Sequence, residues 1–431
     1  MRSSRRRYAV VGTGARAEMF VRELVTAHSG EAELVALADP NPARMRAHNH
    51  WLTELGHPEV PAYPLPATGD VAGEVAGFVA LLDKERVDVA IVTSVDATHD
   101  RYIVAALEAG RDVITEKPMT VDAARCTRIL HAAATARQRG AGSVAVAFNY
   151  RYNPVHEKVR ELLAGGAVGE IGSVHFEWLL DVRHGADYFR RWHRETANSG
   201  GLLVHKASHH FDLVNWWLGA RPVRVYADNH RFFYGPDTAG ARRYDRGYAR
   251  ADGAPGAADD PFALDLAASP RLRELYLDAE AEDGYLRDRN VFAAGVDIAD
   301  DMSVLVRYDS GATMTYHLTA YAPWEGYRVM VNGSLGRLEL SVVESGFVDP
   351  ALARRVKGGP GAREAAAQEQ GARETAARET AALHGVNAAA EAGGVRLTLH
   401  PFWRPSEAVE LPGLVREGHG GGDARMTADL F

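Results

Sequence analysis

Gly12-Thr13-Gly14-Ala15-Arg16-Ala17 follows directly on an apolar run at residues 8–11 and opens a stretch in which Phe20, Leu24 and Ala27 share one helical face. No other feature of the chain limits its fold so strongly. In a strand–turn–helix unit of the form G-x-G-x-x-A, Gly12 allows the tight turn, Gly14 lets the backbone approach a diphosphate, and Ala17 lets the helix pack closely on the strand. The helix N-terminus offers N–H groups and the positive end of its dipole to the anion. A second apolar run, 33–39, ends in Asp39. A carboxylate there accepts hydrogen bonds from a ribose 2′-OH and repels a 2′-phosphate, so NAD is expected in preference to NADP. The expected cofactor contacts here are Gly12, Thr13, Gly14, Ala15, Arg16 and Asp39. The alternative is a glycine turn in an unrelated α/β domain.

The alternation of strand and helix continues. Residues 87–93 read as a buried strand ending at Thr93, 102–109 as a helix closed by Gly110, 111–115 as a strand, 121–139 as a helix and 144–148 as a strand. Such alternation folds as a doubly wound parallel sheet. Glu116-Lys117-Pro118 ends the strand at 111–115. Pro118 fixes its own φ and cannot donate to a ladder, so Lys117 stands at a strand's carboxyl end, where open α/β sheets bind ligands. Lys117 is either a surface lysine in a turn or a catalytic group. His99, in Asp96-Ala97-Thr98-His99, either lines the cofactor site or caps the following helix.

At 431 residues the chain has the length of two or three domains, and 46% hydrophobic with 25% charged residues is the composition of a soluble globular protein. A net charge of −8 excludes the basic field that nucleic acid or an anionic membrane requires. The single cysteine, Cys126, excludes an internal disulfide and fits a reducing compartment. Arg5-Arg6-Arg7 superficially suggests an export signal, but the apolar run behind it is too short and serves better as a strand. No apolar stretch reaches membrane-spanning length. A cytoplasmic protein with neither nucleic-acid nor membrane partners is expected.

The glycine turn, Asp39, the Thr98-His99 loop and Glu116-Lys117-Pro118, in this order and spacing, resemble the Gfo/Idh/MocA oxidoreductase family. The resemblance covers the first third of the chain. It implies an N-terminal Rossmann domain, here residues 1–148, and a C-terminal α+β domain, residues 149–431, with a large open, mostly antiparallel sheet. It implies that Lys117 reaches both the nicotinamide ribose and a substrate hydroxyl and is catalytic. Thr93, His99, Glu116 and Asn149 join the cofactor side, and Arg151 the substrate side; the alternative for Asn149 and Arg151 is that they pin the junction between domains.

In the second domain, residues 200–219 carry His205, His209, His210 and Asp212, and Leu213, Trp216 and Trp217 form an apolar helical face ended by Gly219. His205, His209 and Asp212 recur at four and three residues and share a face if the helix extends back that far. An imidazole beside a carboxylate suits general base work. The family carries Asp-x-Gly-x-His-x-x-Asp here, which implies that His209 is the acid/base. His209 and Asp212 match; His205 stands for the first aspartate and Ala207 for the glycine. His205 and Asp212 are expected to orient His209. No metal is expected; one alternative uses His205 and His209 as ligands, with Asp212 or His317 as the third, and another leaves these histidines as ordinary polar packing. Upstream, Tyr188 and Trp192 lie in a segment of arginine, histidine and aromatics suited to a sugar ring, or simply a solvated charged loop. With Arg151 and His210 they are the expected substrate contacts.

Strands are expected at 173–180, 223–233, 302–308, 312–320, 327–332 and 337–343, with an insertion at 235–290 lying on the sheet and a helical patch at 271–281. Residues 354–392 repeat Ala-Arg-Glu without an apolar face and read as an exposed low-complexity insert. The glycine loop at 419–423 could approach substrate. The chain ends at the start of a helix, whereas related chains usually continue with one that returns to the nucleotide domain, so truncation is expected. Together these features imply an NAD-dependent dehydrogenase acting on a hydroxyl of a sugar, cyclitol or glycoside, as a homodimer or homotetramer. The alternatives are a redox-neutral lyase or glycosidase that works through a transient keto-sugar, and a non-catalytic NAD or sugar sensor.

Overall fold

The computed structural model describes residues 5–66, 69–346, 348, 394–411 and 421–431. The low-complexity insert at 354–392 and the start of the glycine loop at 419–420 lie outside the described residues.

The first domain is a six-stranded parallel sheet: β1 (Arg6–Val11), β2 (Ala32–Asp39), β3 (Ala62–Pro64), β4 (Val89–Val92), β5 (Asp112–Thr115) and β6 (Val144–Val146), in the order β3-β2-β1-β4-β5-β6. Because side chains alternate along a strand, β1 feeds two cores. Ala9 and Val11 pack with Phe78, Leu81 and Ile103 on one face, and Tyr8 and Val10 with Phe20, Leu37 and Trp51 on the other. The helices are α1 (Ala17–Val25), α2 (Pro42–Glu54), α3 (Val71–Lys84), α4 (His99–Glu108) and α5 (Ala123–Arg139). The strand order reverses between β1 and β4, and the glycine turn lies there, after β1. The expected doubly wound parallel sheet is what forms.

The second domain is an eight-stranded sheet built from β7 (Ile171–Asp181), β8 (Pro222–His230), β9 (Asp301–Tyr308), β10 (Thr313–Ala322), β11 (Glu325–Gly333), β12 (Gly336–Ser345), β13 (Val395–Pro401) and β14 (Glu407–Ala408). Its order is β14-β13-β12-β11-β7-β10-β9-β8. β7 and β10 pair in parallel and every other neighbour is antiparallel. One face is the core: Phe176 and Trp178 of β7 and Tyr316 and Leu318 of β10 pack against α6 (Pro154–Ala164) and α10 (Ser208–Leu218). The other face is open at β8, all of whose residues are exposed.

Three expectations are corrected. The segment around Tyr188 is a helix, α7 (Val182–Arg190), rather than a solvated loop; Asp181 caps it, and its face buries Tyr188, Phe189 and Arg190. The insertion does not rest on the sheet alone. Leu264, Leu266, Leu272, Leu275 and Tyr276 pack with Ala47 of α2, and Arg271 Nη1 donates to Ala47 O at 2.8 Å. Its expected helix is a short turn, Pro270–Leu272, leading into a wider π turn, Arg273–Leu277. Gly422–Leu430 forms a helix against the nucleotide domain: Met426 enters that domain's core, and Phe431 packs edge-on against Tyr8 at 5.3 Å.

Candidate active site

Gly12 adopts φ +90°, and a Cβ there would collide with the Ser94 backbone. Thr93 Oγ1 donates to Gly12 O at 2.6 Å, locking the turn onto the end of β4. Asp39 Oδ2 accepts the Thr13 N–H at 2.6 Å and Oδ1 the Asn41 N–H at 2.8 Å. Burial pushes the Asp39 carboxyl up, against the pull of Arg44 and these two N–H groups. The Ala15 N–H donates to the hydroxyl of Tyr276 at 3.0 Å. An oxygen acceptor therefore already stands on a donor of the glycine turn, which is what a diphosphate oxygen would be. Donors, helix end and acid thus fit a dinucleotide. The insertion covers this place: Asn41 Nδ2 donates to Ala279 O at 3.0 Å, and Arg44 pairs with Asp283 at 2.8 Å.

Arg16 ties the turn to the next strand end. Its Nε donates to Glu116 Oε1 at 2.5 Å, and its Nη2 to Asp423 at 3.3 Å. Glu116 Oε2 accepts the Lys117 N–H at 3.1 Å. Lys117 Nζ crosses to the second domain and donates to His205 O at 2.9 Å. Burial pushes this ammonium down to about 8, with Glu116 and Asp96 opposing.

His99 is 1% exposed and lies between two carbonyls, Pro118 O at 2.9 Å and Ser94 O at 3.0 Å. It braces the Lys117 turn against the loop after β4 rather than lining a ligand site. Asn149 Nδ2 donates to Asp423 at 2.7 Å, which puts it at the junction with the closing helix.

The histidine segment is not one helix. A single turn, α8 (Thr196–Ser199), ends at Gly200; Gly200 and Gly201 take positive φ, α9 (Leu202–His205) ends at His205, and α10 begins at Ser208. The break turns His205 towards the nucleotide domain. Its Nδ1 meets Asp96 Oδ2 at 2.5 Å, so it does not orient His209. His209 stacks on Tyr150 with ring centroids 4.2 Å apart. Asp212 does not hold the His209 ring either; its two oxygens receive Arg151 Nε and Nη2 at 2.7 and 2.6 Å. Arg151, expected beside substrate, is one half of that bidentate pair. His210 is 0% exposed, stacks on Trp178 and bonds Tyr316 Oη at 2.7 Å, so it is a core residue rather than a substrate contact. His317 lies on β10, bonded to Ser303 and Thr319.

Around His205 stand Tyr188 at 5.5 Å, Trp192 at 6.1 Å and His193 at 4.0 Å between ring centroids. Of these, His193 was not among the residues expected from sequence, and neither was Asp96. Asp96 had a signal: it follows β4 at the same sheet edge as Lys117. Among the described residues, Asp96, His193 and His205 bring ligand atoms within 4.8 Å of one another. Lys206 is a second buried lysine here, donating to Tyr150 Oη at 3.1 Å and lying 4.7 Å from the Trp178 ring.

A dinucleotide-binding domain joined to an open, mostly antiparallel sheet, with a lysine and imidazoles at the seam, defines a two-domain nicotinamide-dependent oxidoreductase. The comparisons agree. Residues 6–142 match the oxidoreductase family with an NAD-binding Rossmann fold, and 156–339 the GFO/IDH/MocA C-terminal domain. YteT of Bacillus subtilis, named as an oxidoreductase, is 36% identical over 348 residues, covering 76% of this chain and 75% of that one. Inositol 2-dehydrogenase 1 of Saccharopolyspora erythraea is 31% identical, over 51% of this chain and 56% of that one. An inositol dehydrogenase homolog from Azotobacter vinelandii, solved with NAD+, shares the fold with a TM-score of 0.58 at 17% identity, over 98% of this chain and 84% of that one. The chain belongs to the Gfo/Idh/MocA family of NAD-binding oxidoreductases.

Proposed function

We propose that this oxidoreductase interconverts a secondary alcohol and a ketone on a sugar, cyclitol or glycoside. The observation that carries the reading is Lys117: a strand-end ammonium, bonded to the carbonyl of an imidazole-bearing residue of the other domain, at the edge of a dinucleotide site. The glycine turn and Asp39 would hold the cofactor, with the acid favouring NAD over NADP. When bound, the nicotinamide accepts the hydride. The protein's own part is to hold the hydroxyl, take its proton and stabilise the oxyanion. Lys117 does the last of these electrostatically. Two imidazoles compete for the proton: His209 by motif, His205 by its nearness to Lys117. Tyr188 and Trp192 supply ring faces suited to a polyol. The relatives named as inositol 2-dehydrogenases support this substrate class. A cytoplasmic homodimer or homotetramer assembled through the open sheet face completes the reading.

The test is a panel of sugars, cyclitols and aryl glycosides, following NADH absorbance. Lys117→Ala should lower turnover while NAD binding persists; unchanged turnover would remove Lys117 from the chemistry. A second reading is favoured by the insertion over the glycine turn, which would retard cofactor exchange. It is redox-neutral cleavage of a glycoside through a transient ketone, recognised by aglycone release without net NADH.

A further inference from the structure

We propose that His205, paired with Asp96 across the domain seam, is the proton acceptor of this site. The inference rests on the alcohol–ketone reading above and names the group that handles the proton.

The geometry carries it. Asp96 lies in the short turn Asp96–Thr98 after β4, and His205 ends α9 in the other domain. Their 2.5 Å contact is between Nδ1 and a carboxylate oxygen. Burial pushes the Asp96 carboxyl up, with Lys117 and Arg191 opposing; in its ionised form it only accepts, so Nδ1 then carries the proton and Nε2 holds the open lone pair. Nε2 makes no hydrogen bond to the described residues. Lys117 Nζ sits on the carbonyl of this same residue at 2.9 Å, so oxyanion stabiliser and proton acceptor are tied together by a direct hydrogen bond. His193, with its Nδ1 buried and unpartnered among the described residues, stands edge-on to His205 and walls it in together with Tyr188 and Trp192. Asp96, His193 and His205 are 4%, 3% and 8% exposed.

Electrostatics fit a base. The charged and titratable groups facing His205 are Asp96, Lys117, Tyr188, Arg191, Lys206, His99 and His193. Burial, then Lys117 and Arg191, hold the imidazole well below its ordinary value, so it is neutral at neutral pH; the same shift weakens it as a base, and the Asp96 carboxylate at 2.5 Å offsets this by stabilising the imidazolium as it forms. In the step, the substrate O–H bond breaks, its electron pair stays on oxygen, and an N–H bond forms at Nε2. The Asp96–His205 pair passes from one negative charge to none, an exchange that a buried site tolerates well. The ring of cations disfavours the alternative use of Asp96, His193 and His205 as a metal site.

The test has two arms on the full chain. In the first, the 15N-histidine NMR spectrum of the protein without substrate should show a far-downfield Nδ1 proton on His205 that moves upfield in Asp96→Asn. Its absence would overturn the pair. In the second, with a substrate that yields NADH, Asp96→Asn and His205→Ala should each lower kcat by ~10²–10⁴ with little change in KM. Imidazole should partly rescue His205→Ala, and the acidic limb of the pH profile should move in Asp96→Asn. His209→Ala should cost under about ten-fold, below the usual contribution of a general base. A full loss in His209→Ala with the other two within about three-fold would return the proton to His209; it would leave the dehydrogenase reading intact. Zinc-dependent activity lost on chelation would overturn the proposal in favour of a metal. No NADH from the unaltered chain across the panel would overturn the parent reading, which the NMR arm does not depend on.

Discussion

At the scale of single residues, Lys117 gives a pH prediction with a definite sign. Burial lowers its ammonium from 10.5 to about 8. If the ammonium stabilises a developing oxyanion, the initial rate falls as pH rises through about 8; a rate that climbs through that value would make Lys117 a base instead. Lys117→Ala should lower kcat/KM by ~10²–10³, the usual cost of one preorganised donor to an oxyanion. His156 gives a stability prediction. Its Nδ1 donates to Tyr150 O and its Nε2 accepts from Tyr327 Oη, each at 2.7 Å, which fixes a buried neutral imidazole. Burial lowers it to about 4 in the folded protein, against 6.5 unfolded. The unfolded chain therefore binds the proton first, and stability present above about 6.5 is lost as pH falls towards about 4, by roughly 3 kcal/mol. Thermal melts between these values should show the slope, and His156→Gln should flatten it.

At the scale of elements, the insertion matters most. Tyr276 holds the Ala15 N–H that a diphosphate would need. A hydrogen bond of this kind contributes about 0.5–1.5 kcal/mol, so Tyr276→Phe should tighten NAD binding by roughly two- to ten-fold and speed association. A fluorescence titration and stopped-flow mixing check both; weaker binding would show that the hydroxyl supports the cofactor rather than competing with it. The elements most legible in the sequence were those with regular burial. β4 buries all four of its residues, and β9 alternates inward Met302, Val304 and Val306 with outward Ser303, Leu305 and Arg307. α2 was not legible, because it buries His48 and Asn49 beside Trp51, which blurs the apolar stripe. Its capping signal, Asn41 before Pro42, was present all the same. α7 was hidden for a similar reason: Asp187 and Arg190 are buried in it, and Arg287 from the insertion, 2.6 Å away, holds Asp187 ionised against its burial.

At the scale of the molecule, the second sheet has one packed and one open face. On the open face, Tyr226 of β8 and Leu305 of β9 are exposed large apolar residues directly paired on neighbouring strands. Patches of this kind mark interfaces. The proposed assembly through this face predicts that Tyr226→Glu with Leu305→Lys shifts the protein to a smaller species in sedimentation velocity while leaving the melting profile of the monomer intact. No change in the sedimenting species would count against assembly through this face. Among the described residues no helix is long and apolar enough to cross a membrane.

The sequence by itself determined the dinucleotide turn, the strand-end lysine and the regularly buried strands, since each rests on local rules: glycine's permitted φ, proline's missing N–H, and the period of a strand. Only the tertiary structure decided which side chains meet. His205, His209 and Asp212 have the spacing of one helical face, yet a break after α9 sends His205 to Asp96, leaves His209 on Tyr150 and gives Asp212 to Arg151. Asp96 and His205 are 109 positions apart. A contact over that distance is fixed by the packing of two domains, which no local period encodes.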